Sequence, residues 1–166
     1  MPCSTTCSKF KTNIYNKVES GDRKDSSARA TFPKREHIVS TKLIEVLFGS
    51  GSKSMAAFPL RAVYHKIPRE QTDVPVQVLI SVPKKHFKHA VDRNRVKRQV
   101  REAYRQCKQP LCEAMPADEC LLLAFVWLSD ELAPSSTVSD RVGKLISRIT
   151  EKLRVGEHSM ATGQSS

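Results

Sequence analysis

Between Ser81 and Lys108 the chain reads SVPKKHFKHAVDRNRVKRQVREAYRQCK, with ten Lys or Arg against two acids, Asp92 and Glu102. A net +8 of the formal +11 carried by all 166 residues is thus packed into one short segment. Guanidinium groups grip phosphate through paired, charge-assisted hydrogen bonds, so the chemistry offered here is polyanion recognition. Wound at about 3.6 residues per turn, Val96, Val100, Ala103, Tyr104, Cys107 and Leu111 fall on one apolar stripe. Asn94, Lys97, Arg98, Arg101, Arg105 and Lys108 fall together on an adjacent face, roughly 100° round. A charge run on a helix is commonly just a solvated face, but such faces mix their signs. Here Lys97/Arg101, Arg98/Arg101, Arg101/Arg105 and Arg105/Lys108 are like pairs, each weakening the free helix by a few tenths of a kcal/mol. A bound polyanion offsets that repulsion, and a nucleic-acid backbone is the expected partner.

Bond-breaking chemistry borne by the chain itself finds little support. His37, His65, His86, His89 and His158 are scattered, and the acids show neither paired nor metal-cluster spacing. No Ser/His/Asp or Cys/His arrangement is readable from the order of residues. Cys3 and Cys7 have half of a zinc-site spacing without a second ligand pair, so metal binding is not expected. Cys107 on the apolar stripe and Cys120 at the head of an apolar run read as small buried hydrophobes. An odd count of five cysteines argues against a disulfide framework.

The same residues match a family. Ser81-Val82-Pro83-Lys84-Lys85, then Ala90-Val91-Asp92-Arg93-Asn94-Arg95-Val96-Lys97-Arg98, then Arg101-Glu102-Ala103-Tyr104-Arg105 closely resemble the signature of the protein subunit of bacterial ribonuclease P. A lone Arg-Asn-Arg triplet is weak, whereas the ordered combination over about two dozen residues is specific. The resemblance runs from Phe32 to Leu153 and implies a protein that binds a catalytic RNA and the 5′ leader of precursor tRNA, assisting leader removal by an endoribonuclease. In such an enzyme the RNA holds the Mg²⁺ ions and carries the catalytic groups, so no catalytic or metal residue is expected here. The implied RNA contacts are Lys84, Lys85, Arg93, Asn94, Arg95, Lys97, Arg98, Arg101 and Arg105. Of these, Arg93 lies close to the apolar stripe, where bracing the helix start is an alternative, and Arg95 lies off the main basic face. The family also holds the leader in a cleft between its first helix and the sheet, on stacking aromatics. Matching FPKREHIVSTKLIEVLF to that helix puts the two positions at Ile44 and Phe48. The first departs from the aromatic pattern, and Phe48 taken from the sequence alone fits the core better than a cleft. Further implications are one protein per RNA, no DNA partner and a cytoplasmic location. The competing reading is a ribosomal or RNA-assembly protein with no part in cleavage.

Positioning these residues requires a framework. Ser40 is placed to cap a short helix in which Leu43, Ile44, Val46, Leu47 and Phe48 recur at helical spacing before Gly49. Gly49 to Lys53 reads as a turn. Phe58 to Lys66 alternates with period two, as a strand does, and Pro59 confines its beginning to an edge or a strand start. Lys66 to Pro75 is read as a loop, and Val76 to Val82 as a second strand paired with the first in an antiparallel hairpin. After the basic helix, Pro116 is a breaker, and Glu119 to Leu128 is almost wholly apolar, the pattern of a central strand covered on both faces. Val138, Val142, Leu145, Ile146, Ile149 and Leu153 describe a final amphipathic helix.

The pattern is α+β: a small mixed sheet with about three helices and a βαβ crossover carrying the basic helix. In the resembled family that crossover is left-handed, against the usual right-handed preference. Residues 1–30 are polar with few large apolar groups and are expected to be a disordered extension; 31–155 form the RNA-binding domain, and 156–166 a disordered tail. A pI near 9.7 fits a nucleic-acid partner. No apolar run approaches the roughly 18 residues of a membrane span, and no secretory segment is expected.

Overall fold

The computed structural model describes residues 31–69 and 74–158. The polar N-terminal extension, Cys3 and Cys7 lie outside the described residues. A 3-10 turn at Lys34–Glu36 is followed by α1 (Thr41–Phe48), β1 (Lys53–Ala57), β2 (Leu60–Pro68) and β3 (Val76–Ser81). Then come α2 (Ala90–Cys107), α3 (Gln109–Glu113), β4 (Glu119–Trp127) and α4 (Ser135–His158). The last helix continues three residues into the segment read as tail, a difference of the size expected at frayed helix ends.

The four strands lie in the order β1-β2-β4-β3. This corrects the expected hairpin: β2 and β3 are not neighbours. Instead β2 pairs antiparallel with β1 and with β4, whereas β3 pairs parallel with β4. The physical reason lies in β4, whose residues Cys120 to Phe125 are all fully buried. An apolar strand of this kind is stable only between two partners, so it takes the centre and separates β2 from β3. The real hairpin partner, β1, escapes sequence reading because Lys-Ser-Met-Ala-Ala has little alternation and sits at an edge, where only Met55 and Ala57 are partly buried against the core. Pro59 stands in the hairpin turn just ahead of β2, as its missing N–H requires.

Period two divides β4 between two cores. Leu121, Leu123, Phe125 and Trp127 point to one face, where they meet Leu60, Ala62 and Tyr64 of β2 and the buried stripes of α2, α3 and α4. Cys120, Leu122 and Ala124 point to the other, against Val63, Ile67, Ile38 and Leu47. The larger cluster contains Val96, Val100, Ala103, Tyr104 and Leu111, so the apolar stripe read from the sequence is the buried one. The smaller cluster is closed by α1 through Leu47, with Leu43 and Ile44 partly buried beside it. Ser40 occupies the N-cap position of α1 without a side-chain capping bond; its carbonyl accepts the Ile44 N–H at 3.1 Å.

Since Leu47 is the one fully buried side chain of α1, Leu47→Ala should cost about 2–5 kcal/mol of stability. Urea unfolding should show a lower midpoint at unchanged slope. A loss well under about 1 kcal/mol would mean that α1 is held to the sheet by something else.

Candidate nucleic-acid interface

The sheet presents its two faces to different kinds of surface. On the larger-core side, α2 lies with its apolar residues Val96, Val100, Ala103 and Tyr104 inward, which turns its polar residues towards solvent. Asn94, Arg95, Arg98 and Arg101 are exposed, and Lys97 and Arg105 are half-buried. Lys84 and Lys85 are exposed in the turn between β3 and α2. A shallow depression bounded by Val91, Asn94, Arg95, Arg98, Gln99 and Ser135 lies where the helix meets the start of α4. Arg95, which the helical wheel puts off the main basic face, therefore joins the row through this depression.

Several of these groups are held by neighbours. Arg93 donates through Nη1 to the carbonyls of Phe87 and Lys88 at 2.7 and 2.8 Å, bracing the chain as it enters the helix. His86 and Asp130 are linked at 2.6 Å, which pins the Lys84–Lys85 turn to the loop before α4. Gln99 donates to Ala133 O and to Ser135 Oγ, fixing α2 against α4 on its other flank. None of these bonds has a signature in the sequence, because their partners are brought together only by the fold.

The two acids of the segment behave differently. Asp92 stands in the first turn of α2, where the helix dipole favours a negative charge. Glu102 accepts two bonds from Arg105, at 2.9 and 2.5 Å, and one from Gln106 at 2.9 Å. The Arg105 and Gln106 hydrogen bonds hold the Glu102 carboxyl down at about 2. Its pKa being depressed in the folded state, the pair contributes stability that is present above the ordinary value of 4.5 and is lost as pH falls towards about 2. At neutral pH the pair is intact, so Arg105 meets a polyanion with part of its charge already answered.

Lys108 departs from the row. Its ammonium group is turned away from solvent to Glu36 at 2.6 Å, with 12% of the side chain exposed, so it does not extend the outward cations as the helical wheel implied. His37 lies beside the helix; partial burial, and then the nearby Arg101 charge, hold its imidazole below the ordinary value. Among the described residues no three His, Cys, Asp or Glu side chains converge on a point where a metal ion would sit. No described helix is long and apolar enough to cross a membrane.

On the opposite side of the sheet, Ile44 and Phe48 stand one turn apart on α1. Ile44 is partly buried against the small core, whereas Phe48 is 50% exposed. Phe48 is therefore not the core residue that its helical spacing suggested. It is set one position past Leu47, about 100° round the helix from the buried line.

The chain resembles known proteins over most of this framework. A family profile described as Ribonuclease P matches residues 32–149. A ribonuclease P protein component from Porphyromonas gingivalis is 40% identical over 123 residues, covering 72% of this chain and 88% of the relative. One from Chlorobaculum tepidum is 37% identical over 101 residues, covering 57% and 66%. Among solved structures, a Staphylococcus aureus RNase P protein mutant with defective mRNA degradation activity superposes with a TM-score of 0.55 at 17% identity, covering 71% of this chain and 90% of that one. At that identity the superposition speaks for the fold.

Replacing Arg98 and Arg101 with Ala should reduce the slope of log affinity against log salt for a structured RNA by about 0.7–0.9 per residue. Arg105→Ala should reduce it less, and Glu102→Gln should tighten binding by releasing Arg105. Equal slopes for all variants, read from filter binding over a salt series, would remove α2 from the interface.

Proposed function

The chain belongs to the Ribonuclease P family, and from that premise we propose that it docks on the catalytic RNA through α2 while holding the 5′ leader of precursor tRNA on the α1 side of the sheet. Membership makes it part of an endoribonuclease that processes tRNA, with RNA as its partner. The observation that carries the finer reading is the outward row Asn94, Arg95, Lys97, Arg98 and Arg101, joined at the helix start by Lys84 and Lys85, on a helix whose adjacent stripe of Val96, Val100, Ala103 and Tyr104 is buried. A rigid row of cations fits phosphates of a folded RNA, and Asn94 adds a donor and an acceptor for 2′-hydroxyls. Arg93 and Arg105 contribute what their internal bonds leave to them.

The leader reading rests on α1. Ile44 and Phe48 border the sheet face not covered by the large helices, and the half-exposed ring of Phe48 gives a stacking surface for a nucleotide. Ile44 offers an apolar contact in place of a second ring. Catalysis is assigned to the RNA. Among the described residues no His, Cys, Asp or Glu cluster would hold a metal ion, and Mg²⁺ bound by the RNA would supply the polarisation of water and leaving oxygen. What these residues do is bind and orient: they screen phosphate repulsion between RNA and substrate, in a complex of one protein per RNA.

Cleavage of a 5′-labelled precursor tRNA at low Mg²⁺, with the catalytic RNA alone, the protein alone and both, tests this reading. Restoration of cleavage only in the mixture is expected. Tight RNA binding without restored cleavage would favour an assembly protein, and cleavage by the protein alone would place catalytic groups in this chain.

A further inference from the structure

The inward turn of Lys108 organises a second element. Besides Glu36, its ammonium donates to Thr31 O at 2.5 Å, so the end of α2 holds a segment more than 70 residues upstream from both ends of the 3-10 turn. The same segment is fixed on its far side, where Ile38 N–H donates to Val78 O at 3.1 Å along the free edge of β3. Phe32 fills the space between, its ring 4.2 Å from that of His37 and 5.3 Å edge-on to that of Tyr104. The turn is therefore strapped beside Arg101, close enough for that guanidinium to act on His37.

Within the turn the charges are sorted. Glu36 faces inward with 14% of its side chain exposed, whereas Lys34 and Arg35 are exposed and form no ion pair among the described residues. A polar turn with no buried residue of its own gains nothing from two adjacent cations on a segment tied to the basic helix at Lys108 and lying beside Arg101 at His37, since like charges repel. A polyanion spanning both elements removes that repulsion.

We infer that the 3-10 turn is a second wall of the RNA-docking face, with Lys34 and Arg35 contacting phosphates of the same catalytic RNA that α2 binds, and that the Lys108–Glu36 ion pair is the strap that positions it. This rests on the docking role proposed for α2 and extends it to a segment distant in sequence. Lys108 is on this reading a positioning residue and makes no RNA contact.

The test is binding of the full chain to the catalytic RNA over a salt series, with thermal unfolding as a control on each variant. Lys34→Ala combined with Arg35→Ala alters only exposed side chains and should reduce the salt slope by about 1.4–1.8, two phosphate contacts' worth. Glu36→Gln deletes a negative charge, so simple charge counting predicts tighter binding; release of the strapped turn predicts weaker binding, by about threefold or more, with a reduced slope. An unchanged affinity and slope in the Lys34/Arg35 variant, or tighter binding by Glu36→Gln, would overturn the inference while Arg98 and Arg101 still matter. A wild-type chain without affinity for the catalytic RNA would instead overturn the docking role on which it rests.

Discussion

The structure depends on one strand that cannot be left exposed on either side. From Cys120 to Phe125 every residue of β4 is fully buried, and Trp127 follows. A strand of that kind needs a neighbour on each edge and a cover on each face. The edges are met by β2 and β3, one face by α2, α3 and α4, and the other by α1. Burying a large apolar side chain is worth about 1.5–3 kcal/mol, so these covers are held firmly. Two consequences follow for function. The basic helix becomes a packed element whose basic residues keep the spacing of its backbone, and α1 borders a separate sheet face on the far side.

Rigidity matters because the interactions at issue are individually weak. A phosphate contact is screened by salt, and an exposed ion pair is worth little. On the docking role proposed for α2, a row of cations acts more strongly when the helix that carries it is already packed in place, because the cost of ordering the backbone is then met during folding. The bonds from Arg93 to the entry turn, from Gln99 to α4 and from His86 to Asp130 serve that end by fixing α2 and the turn before it.

Much of this was legible in the chain because it is local. The apolar stripe of α2, the unbroken apolar run of β4 and the amphipathic α4 follow from spacing alone and their burial matches it, whereas β2 is a strand as its alternation suggests but begins at Leu60, leaves Phe58 exposed and buries residues on both faces. Hairpin logic pairs β2 with β3 because it favours strands adjacent in sequence, whereas β4 inserts between them. The role of β1 was hidden by its small and polar residues. On the helical wheel Lys108 could not be told from Arg101 or Arg105, because its partner Glu36 is 72 residues away. Spacing favours a core place for Phe48 because it identifies a stripe but not its edge.

If the two faces act separately, the sharpest measurement is the affinity of Phe48→Ala holoenzyme for precursor tRNA with and without its 5′ leader, beside the affinity of the same variant for the catalytic RNA. Loss of a stacking platform should weaken binding of the leader-bearing precursor by about 1–3 kcal/mol, leaving the leaderless form and the RNA affinity unchanged. An equal loss for both precursors, or a loss of RNA affinity, would contradict the division of labour between α1 and α2.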